Sequence, residues 1–250
     1  MSKKGQFLIF LILFFKLSRI ENSYFENVWI VWNIGQGQWV THVQPDQCIH
    51  FDMGGDLGSF KNIQLSLHKL CSLKQNRIFL SHWDFDHYSN VFSLAQKMRY
   101  VCWASRPPQT RDNISVQKIL DLNIPPCEVG WKLTSEIKNW FPQSGKTSND
   151  FSIVSLEDQY LMPGDSPIKQ EKIWSHIMKI QNVRVLVLGH HGSRTSTGNE
   201  LLQKLPRLKI AVASARISKY GHPHADTLLR LRKNKTPVLK TEDWGSIWFL

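Results

Sequence analysis

Four apolar segments of this sequence are each followed by a cluster of histidine or aspartate side chains. They are RIFL before SHWDFDH (residues 77–87), YLM before PGD (160–165), VRVLVL before GHHGS (183–193) and KIAVASA before YGHPH (209–224). Short apolar runs of this kind predict buried β-strands. Because the loops at strand ends converge on one edge of a layered fold, the four clusters predict one shared site.

Helical patterns lie between these strands. Ile63, Leu67, Leu70 and Leu73 recur at the spacing of one helix face. Strand and helix patterns mix along the chain, and the sequence contains no internal repeat. This mixture predicts an α/β fold, for which a layered αββα sandwich is one arrangement that gathers polar clusters at strand ends.

The heptapeptide SHWDFDH offers imidazole nitrogens and carboxylate oxygens, which are ligands for zinc or manganese. Alternate residues of an extended segment point the same way, so we expect His82, Asp84 and Asp86 to converge, while His87 needs a turn. A charged loop whose members pair with one another is the alternative. The other clusters add further candidates: Asp165, His190, His191, His222 and His224. One cluster is explained by a turn, whereas four together predict a metal site.

The net charge of this 250-residue chain is +11. It remains +8 when the four basic residues and one acidic residue of residues 1–23 are left out. Such a balance favours nucleic acid or an anionic membrane surface as a partner, and general solubility is the alternative. Between Lys204 and Lys240, inclusive, ten basic residues are opposed only by Asp226.

The first 23 residues have the pattern of a targeting segment. A basic start is followed by the unbroken apolar run FLIFLILFF at residues 7–15. This run has the length of a signal-peptide core and is too short to span a bilayer, which needs ~20 residues. We expect residues 1–23 to be a signal peptide or a short membrane anchor, and residues 24–250 to be the folded domain. An exported protein, periplasmic or extracellular, follows from this; a buried helix in a cytoplasmic protein is the alternative.

The four cysteines form no C-x-x-C pair, which excludes zinc-ribbon and thioredoxin-like classes. An even number permits disulfides without requiring them. We expect Cys48, Cys71, Cys102 and Cys127 to be buried free thiols.

Taken together, the motifs resemble the metallo-β-lactamase superfamily, and within it the hydrolase domain of ComEC-type DNA-uptake (competence) proteins. The matching stretches follow the family's order across about residues 28–250: NIGQGQ (33–38), FDMGG (51–55), LSHWDFDH (80–87), NDFSIV (149–154), MPGD (162–165), VLVLGHHGSRTS (185–196) and YGHPH (220–224). The resemblance implies a four-layer αββα sandwich, two divalent metal ions (Zn²⁺ or Mn²⁺) and a nuclease, or phosphodiesterase, that acts on DNA.

The resemblance also implies a role for individual residues. His82 and Asp84 match the positions that hold one metal. Asp165 matches a carboxylate that bridges both metals. The positions for the second metal are matched by Asp86, His87 and one of His190 or His191.

Three further roles follow in the same way. Asp86 and His222 are the candidate catalytic residues, His222 lying near the substrate phosphate. Asp52 matches an acid that orients the histidine motif from the second shell. Arg194, Arg216 and Lys219 are candidate contacts to nucleic acid, and Trp83 and Phe85 are expected either to stack on bases or to pack internally.

The sequence departs from the family in two places. The superfamily usually supplies a histidine before the bridging aspartate, yet no histidine lies between His87 and His176. Asn149 or Asp150 is the expected substitute, with Asp150 in a supporting position; the resulting oxygen-rich shell favours Mn²⁺. Gln38 also stands where relatives commonly have aspartate, which affects a secondary contact.

The expected partners are DNA, a membrane through residues 7–15, and a separate channel protein, because these 250 residues contain no multi-span channel. Two alternatives stay open. One is a metallo-hydrolase of another ester or amide, such as a lactone or a cell-wall fragment. The other is a binding module with a degenerate metal site.

Overall fold

The computed structural model describes residues 27–108, 113–128 and 136–250. Within them the strands form two sheets of six. The strands are β1 (Val28–Val31), β2 (Val40–Val43), β3 (Gln47–Phe51), β4 (Gln75–Phe79), β5 (Val101–Ser105), β6 (Ile137–Trp140), β7 (Val154–Glu157), β8 (Tyr160–Met162), β9 (Val185–Val187), β10 (Ile210–Ala213), β11 (Val238–Lys240) and β12 (Ile247–Phe249).

The first sheet has the order β12-β1-β2-β3-β4-β5, and the second has the order β11-β10-β9-β8-β7-β6. The last strand crosses back to pair antiparallel with β1, so that Trp29 lies opposite Phe249. Strands β3 to β5 run parallel in the first sheet, as do β8 to β11 in the second. The polar clusters follow the C-terminal ends of four of these parallel strands, β4, β8, β9 and β10.

Helices cover the outer faces of both sheets. They are α1 (Phe60–Cys71), α2 (Phe85–Tyr88), α3 (Val91–Lys97), α4 (Ile114–Leu120), α5 (Ile168–Ile177), α6 (Asn199–Gln203), α7 (Ile217–Tyr220), α8 (Ala225–Lys233) and α9 (Thr241–Trp244). The structure also has two 3₁₀ turns. Ser148–Phe151 lies before β7, and Gly189–Gly192 contains the double histidine of the third polar cluster.

Three apolar clusters hold the layers together. Side chains from both sheets, including Trp29, Phe51 and Tyr160, form the central one. Neighbouring strand residues such as Val28 and Ile30 belong instead to a second cluster, beneath α1, α3 and α4. The third cluster joins the second sheet to α5, α6 and α8. Strands buried on both faces explain why their sequences are nearly continuous apolar runs, and the predicted four-layer αββα sandwich is confirmed.

One position that was predicted to share a helix face is wrong. Ile63, Leu67 and Leu70 are buried on α1 as expected, but Leu73 is 86% exposed. The helix ends at Cys71, because the chain turns to begin β4 at Gln75. Leu73 therefore lies beyond the helix whose face it was expected to share.

The expectation of free thiols is also wrong. Cys48 on β3 is bonded to Cys71 at the end of α1, and Cys102 on β5 is bonded to Cys127. Helix α1 packs on β3, which brings together two cysteines 23 residues apart in the sequence. Disulfides persist mainly in oxidising compartments, so the pairing favours an exported protein.

No helix in the part of the chain that the structure describes is both long and apolar enough to cross a membrane. The predicted signal peptide or anchor at residues 1–23, with its apolar run at 7–15, lies outside the described residues.

A buried histidine in the first sheet predicts sensitivity to acid. The Nε2–H of His50 donates to Asn76, and its Nδ1 accepts from the Thr41 hydroxyl. Burial lowers the pKa of His50 to about 4, although the hydrogen bond to Asn76 acts in the opposite direction. Between pH 6.5 and pH 4, His50 is therefore protonated in the unfolded chain but stays neutral in the folded chain.

We therefore expect the stability contributed at His50 to be complete above pH 6.5 and to fall by about 3 kcal/mol as the pH drops toward 4. Urea unfolding at several pH values measures this loss. His50→Gln should flatten the dependence in this range, while His68→Gln, at an exposed position on α1, should leave it unchanged. An equally steep dependence in His50→Gln would contradict the assignment.

Candidate metal centre

The heptapeptide divides into two parts at the end of β4. His82 and Asp84 precede helix α2, which begins at Phe85, and Asp84 has an extended backbone. His82 Nε2 lies 3.5 Å from Asp84 Oδ2, whereas Asp86 Oδ2 lies 3.2 Å from His191 Nε2. The expectation that His82, Asp84 and Asp86 converge from one extended segment is corrected, because the helical turn directs Asp86 to the other side.

Asp165, which follows β8, lies between the two parts. Its Oδ1 is 3.0 Å from His87 Nε2 and 3.9 Å from His191 Nε2. Its Oδ2 is 3.7 Å from His82 Nε2 and 3.5 Å from His190 Nε2. Each oxygen of one buried carboxylate therefore faces its own pair of histidines.

The double histidine reaches both sides because its backbone is left-handed. His190 has φ 49° and His191 has φ 56°, and Gly192 follows with φ 88°. Consecutive non-glycine residues in this region are uncommon and strained, which is typical of functional sites. A Cβ at Gly192 would lie 2.6 Å from Pro223 Cβ, so the turn is also closely packed.

The hydrogen-bond partners of the histidines fix which nitrogens face the site. His87 Nδ1–H donates to Asp52 Oδ2 at 2.8 Å, and His191 Nδ1–H donates to the Ser214 carbonyl at 3.0 Å. Both partners only accept, so Nε2 is the nitrogen that each ring turns toward the centre, and the two Nε2 atoms lie 3.2 Å apart. Two ring nitrogens this close together beside carboxylates need positive charge between them, which a proton or a metal cation can supply.

Other buried atoms support the same conclusion. His82 Nε2 and Asp165 Oδ1 are buried without a hydrogen-bond partner. Ligand atoms of His82, His87 and Asp165 lie within 4.8 Å of one another, as do those of Asp86, His87 and His191. Imidazole and carboxylate groups in this arrangement fit divalent cations such as Zn²⁺ or Mn²⁺.

The carboxylates of the cluster attract positive charge. Burial lowers the pKa of His87, but the carboxylates of Asp165 and Asp52 outweigh it and raise that pKa well above its ordinary value. Burial likewise raises the pKa of Asp165, yet His87 and His191 hold it well below its usual range. The Asp165 carboxylate therefore stays ionised although it is buried.

Asp52, the predicted supporting acid, makes several hydrogen bonds beside the histidine motif. Its carboxylate accepts hydrogen bonds from the backbone and hydroxyl of Ser81, from His87 and from the amide of Gln38. Gln38 thus supplies a donor at the position where relatives commonly have aspartate. Ser81, which the sequence interpretation missed, also lies 2.9 Å from His82 Nδ1 through its Oγ. Its place beside His82 in the motif was the available signal.

Asp150 does not have the predicted supporting position. Its buried carboxylate accepts from Lys169 Nζ at 2.8 Å and from the backbone of Lys146 and Thr147. It caps the 3₁₀ turn, because the turn's free N–H groups need an acceptor. The neighbouring Asn149 points the other way, with Nδ2 3.3 Å from His190 Nδ1.

His222 lies at the edge of the cluster, and its ring centroid is 5.7 Å from that of His190. Burial lowers the pKa of His222 to about 4, with further lowering by His190 and His191. Its ring is therefore neutral near pH 7 and can donate one hydrogen bond. The catalytic role of His222 stays a prediction.

The three predicted nucleic-acid contacts differ in their surroundings. Arg194 is exposed beside the double histidine. Arg216 and Lys219 are about half exposed and pair with Asp56 at 3.2 and 2.8 Å, so part of their charge is compensated. Their contact with nucleic acid stays a prediction.

Gly54 is expected to be essential for the shape of the centre. A Cβ built on it would overlap the carbonyl group of Asp86 and the amide of His87. Gly54→Ala should displace both side chains and weaken metal binding by at least about 10-fold, the lower range for disturbed outer-shell partners. Metal titration followed by calorimetry measures this. Gly58→Ala is the control for backbone strain alone: Gly58 has φ 80°, but a Cβ there meets no neighbouring atom, so this variant should keep the wild-type affinity for metal. Equal affinity in wild type and Gly54→Ala would contradict the prediction.

Sequence comparisons give three relatives among curated proteins, and no family model matches. ComE operon protein 3 of Bacillus subtilis is 27% identical over 111 residues, 43% of this chain and 14% of that protein. Recombination protein 2 of Haemophilus influenzae is 31% identical over 106 residues, 41% of this chain and 13% of that protein. Competence protein ComA of Neisseria gonorrhoeae is 26% identical over 224 residues, which is 88% of this chain and 31% of that protein. The chain thus spans about a third or less of these relatives.

Solved structures give neighbours of the fold. YhfI from Bacillus subtilis, a metallo-β-lactamase-fold protein, has a TM-score of 0.55 at 8% identity over 90% of this chain and 99% of that chain. The CmlA β-hydroxylase E377D mutant has a TM-score of 0.55 at 10% identity, over 88% of this chain and 53% of that chain. A diphosphatase of the PhnP family has a TM-score of 0.50 at 12% identity, over 86% of this chain and 84% of that chain. The structural neighbours show that the chain has the metallo-β-lactamase fold, and its sequence is similar to parts of three proteins, of which ComA is named a competence protein.

Proposed function

We propose that this protein is a divalent-metal-dependent phosphodiesterase that cuts DNA in a ComEC-like role. The observation that carries the proposal is the position of Asp165, whose two oxygens each face a pair of histidines. The competence-protein relatives support a link to DNA uptake. The diphosphatase among the fold neighbours supports hydrolysis of phosphate esters, as an analogy of fold.

Two ligand sets would hold the cations. The first consists of His82, Asp84 and His190 with Asp165 Oδ2. The second consists of Asp86, His87 and His191 with Asp165 Oδ1. Because the double histidine gives one ring to each set, His190 takes the place of the histidine that the sequence lacks. Asn149, which approaches His190, becomes a supporting residue in this proposal.

When bound, a pair of divalent cations supplies charge for a phosphoryl group and makes water a better nucleophile at neutral pH. The chain's own residues do the rest. Asp52 holds His87 in one tautomer and orientation. His222, neutral near pH 7, donates a hydrogen bond to a phosphate oxygen. Asp86 belongs to the reactive centre through its contact with His191.

The charge distribution supports DNA as the substrate. The net charge is +11, and the basic stretch of residues 204–240 includes His222. Arg194, Arg216 and Lys219 would contact the phosphate backbone. Arg230 is excluded from this set, because its guanidinium donates to the carbonyls of Thr197 and Ser196.

The place of action follows from the disulfides. Two disulfides favour an exported protein, periplasmic or extracellular, over a cytoplasmic one. Residues 1–23 would direct export or anchor the protein through residues 7–15, and residues 24–250 would form the hydrolase domain. A separate channel protein is the proposed partner for entry of the uncut strand.

A substrate panel tests the function. Single-stranded DNA, double-stranded DNA and a small phosphodiester are incubated with the wild-type protein in Mn²⁺ or Zn²⁺. We expect cleavage of DNA that falls at least about 100-fold in Asp86→Asn. Asp243→Asn, at a surface ion pair with Lys240, is the control that should keep full activity.

The other outcomes separate the remaining functions. Turnover of the small phosphodiester alone would exclude the nuclease and favour a metallo-hydrolase of another ester. The β-hydroxylase among the fold neighbours shows that this fold also carries other reactions. Failure to turn over any substrate with any cation would favour a binding module.

A further inference from the structure

A cleft of about 220 Å³ lies directly beside the candidate metal centre. Apolar side chains from four loops form its walls: Trp83 after β4, Pro107 after β5, Phe141 and Pro142 after β6, and Phe151 and Ile153 before β7. Its polar edge consists of His82 and Ser148. His82 Nε2 also faces Asp165, so the cleft and the metal centre share a residue.

The walls of the cleft are built before any ligand arrives. The Trp83 indole N–H donates to the Pro107 carbonyl at 3.0 Å, and the Trp83 ring packs edge-on against Tyr88 and Trp103. The indole therefore has no unsatisfied donor and presents a fixed flat surface. Phe141 on the opposite loop is 50% exposed, although a large apolar side chain gains by burial.

The size and chemistry of the cleft favour one flat ring system. It is smaller than the ~300–1,000 Å³ clefts that take drug-sized ligands. Aromatic rings and prolines offer planar surfaces for stacking, while Ser148 is the polar liner other than the candidate ligand His82. A site with so few donors and acceptors binds the ring by its face and does not distinguish among bases.

Charges near the cleft fit a nucleic-acid strand. Arg106 and Lys146, both exposed, flank the loops that carry Pro107 and Pro142. Asp84, whose carboxylate lies 3.5 Å from His82 Nε2, carries negative charge and belongs to the first ligand set. A phosphate held at the metal centre would thus have its own nucleoside beside the apolar walls.

We propose that this cleft, between Trp83 and Phe141, is a base-tolerant subsite that holds one unstacked nucleobase next to the phosphate to be cut. The inference rests on the proposed nuclease function and adds the part of the substrate that is recognised beside the reacting group. A base that enters the cleft must leave the stack, so the bound nucleotide is unpaired at that position. Phe85, 46% exposed, lies outside the cleft and is not part of the subsite.

The test compares two strands of equal charge: ten thymidine nucleotides and ten abasic nucleotides, each with a fluorescent label. Binding to the full chain is measured by fluorescence anisotropy in EDTA, where no cation supports cleavage. We expect the thymidine strand to bind at least about 5-fold more tightly. Phe141→Ala should remove this preference without changing the affinity for the abasic strand. Trp244→Ala is the matched control: Trp244 is 71% exposed, and its helix follows β11 at the edge of the second sheet opposite β6.

Equal affinity of the wild-type protein for both strands would overturn the inference. So would a preference that survives in Phe141→Ala. Loss of p-nitrophenyl butyrate hydrolysis in Phe141→Ala, with no effect on the strands, would assign the cleft to an acyl group and also overturn it. A wild-type protein that prefers thymidine yet cuts no DNA in Mn²⁺ would remove the nuclease function and leave the subsite standing.

Discussion

Replacing Asp165 by asparagine is expected to abolish the activity of the metal centre. Asp165 is the residue that faces both ligand sets, with Oδ1 toward His87 and Oδ2 toward His82 and His190. The asparagine has the same shape but lacks the negative charge, and one of its two ligand atoms becomes an amide nitrogen. We expect DNA cleavage to fall by at least about 10³-fold, the upper range for loss of one electrostatic contact, because two cations are affected.

The effect is measured as kcat/KM for DNA in Mn²⁺, with metal content determined on the same samples. Asp158→Asn is the matched control. Asp158 lies in the turn between β7 and β8, the same hairpin that precedes Asp165, and is exposed with φ 51°, which asparagine tolerates. Activity in Asp165→Asn equal to that of Asp158→Asn would remove Asp165 from the centre.

Removing the disulfide between Cys48 and Cys71 is expected to have the largest effect on stability. The bond closes a loop of 23 residues that contains α1, and chain-entropy arguments assign about 3 kcal/mol to a loop of this length. Both cysteines are fully buried, so alanine is the appropriate replacement. The double variant Cys48→Ala/Cys71→Ala should lose about 3 kcal/mol in its free energy of unfolding, measured with guanidinium.

Reduction supplies the control. Dithiothreitol should destabilise the wild-type protein but leave unchanged a variant in which all four cysteines are alanine. Titration of thiols in the denatured, unreduced protein should find none. Four reactive thiols, or equal stability of the wild type with and without dithiothreitol, would contradict the disulfides.

Local patterns in the sequence were sufficient to predict most of the fold. Apolar runs identified the strands that end near the site, because strands covered by helices on one side and by a second sheet on the other are apolar throughout. The motif order also pointed to the four-layer sandwich. Leu73 shows the limit of periodicity: the helical spacing continues in the sequence past the point where the chain must turn into β4.

Features that depend on long-range contacts were harder to predict. The spacing of Cys48 and Cys71 does not reveal that α1 packs on β3. The division of His190 and His191 between two sides depends on two consecutive left-handed residues, for which sequence gives no direct signal. Asp150 was selected for its position in the chain, yet the free N–H groups of a 3₁₀ turn and Lys169 hold its carboxylate.

Metal content of the purified protein is the most direct test of the central claim, that two cation sites share Asp165. After exchange into Mn²⁺ or Zn²⁺ and removal of free ions by gel filtration, mass spectrometry counts the ions bound per chain. We predict two ions per wild-type chain and at most one in Asp165→Asn, with Asp158→Asn unchanged. A wild-type protein that retains neither Mn²⁺ nor Zn²⁺, or an Asp165→Asn variant that still holds two ions, would contradict it.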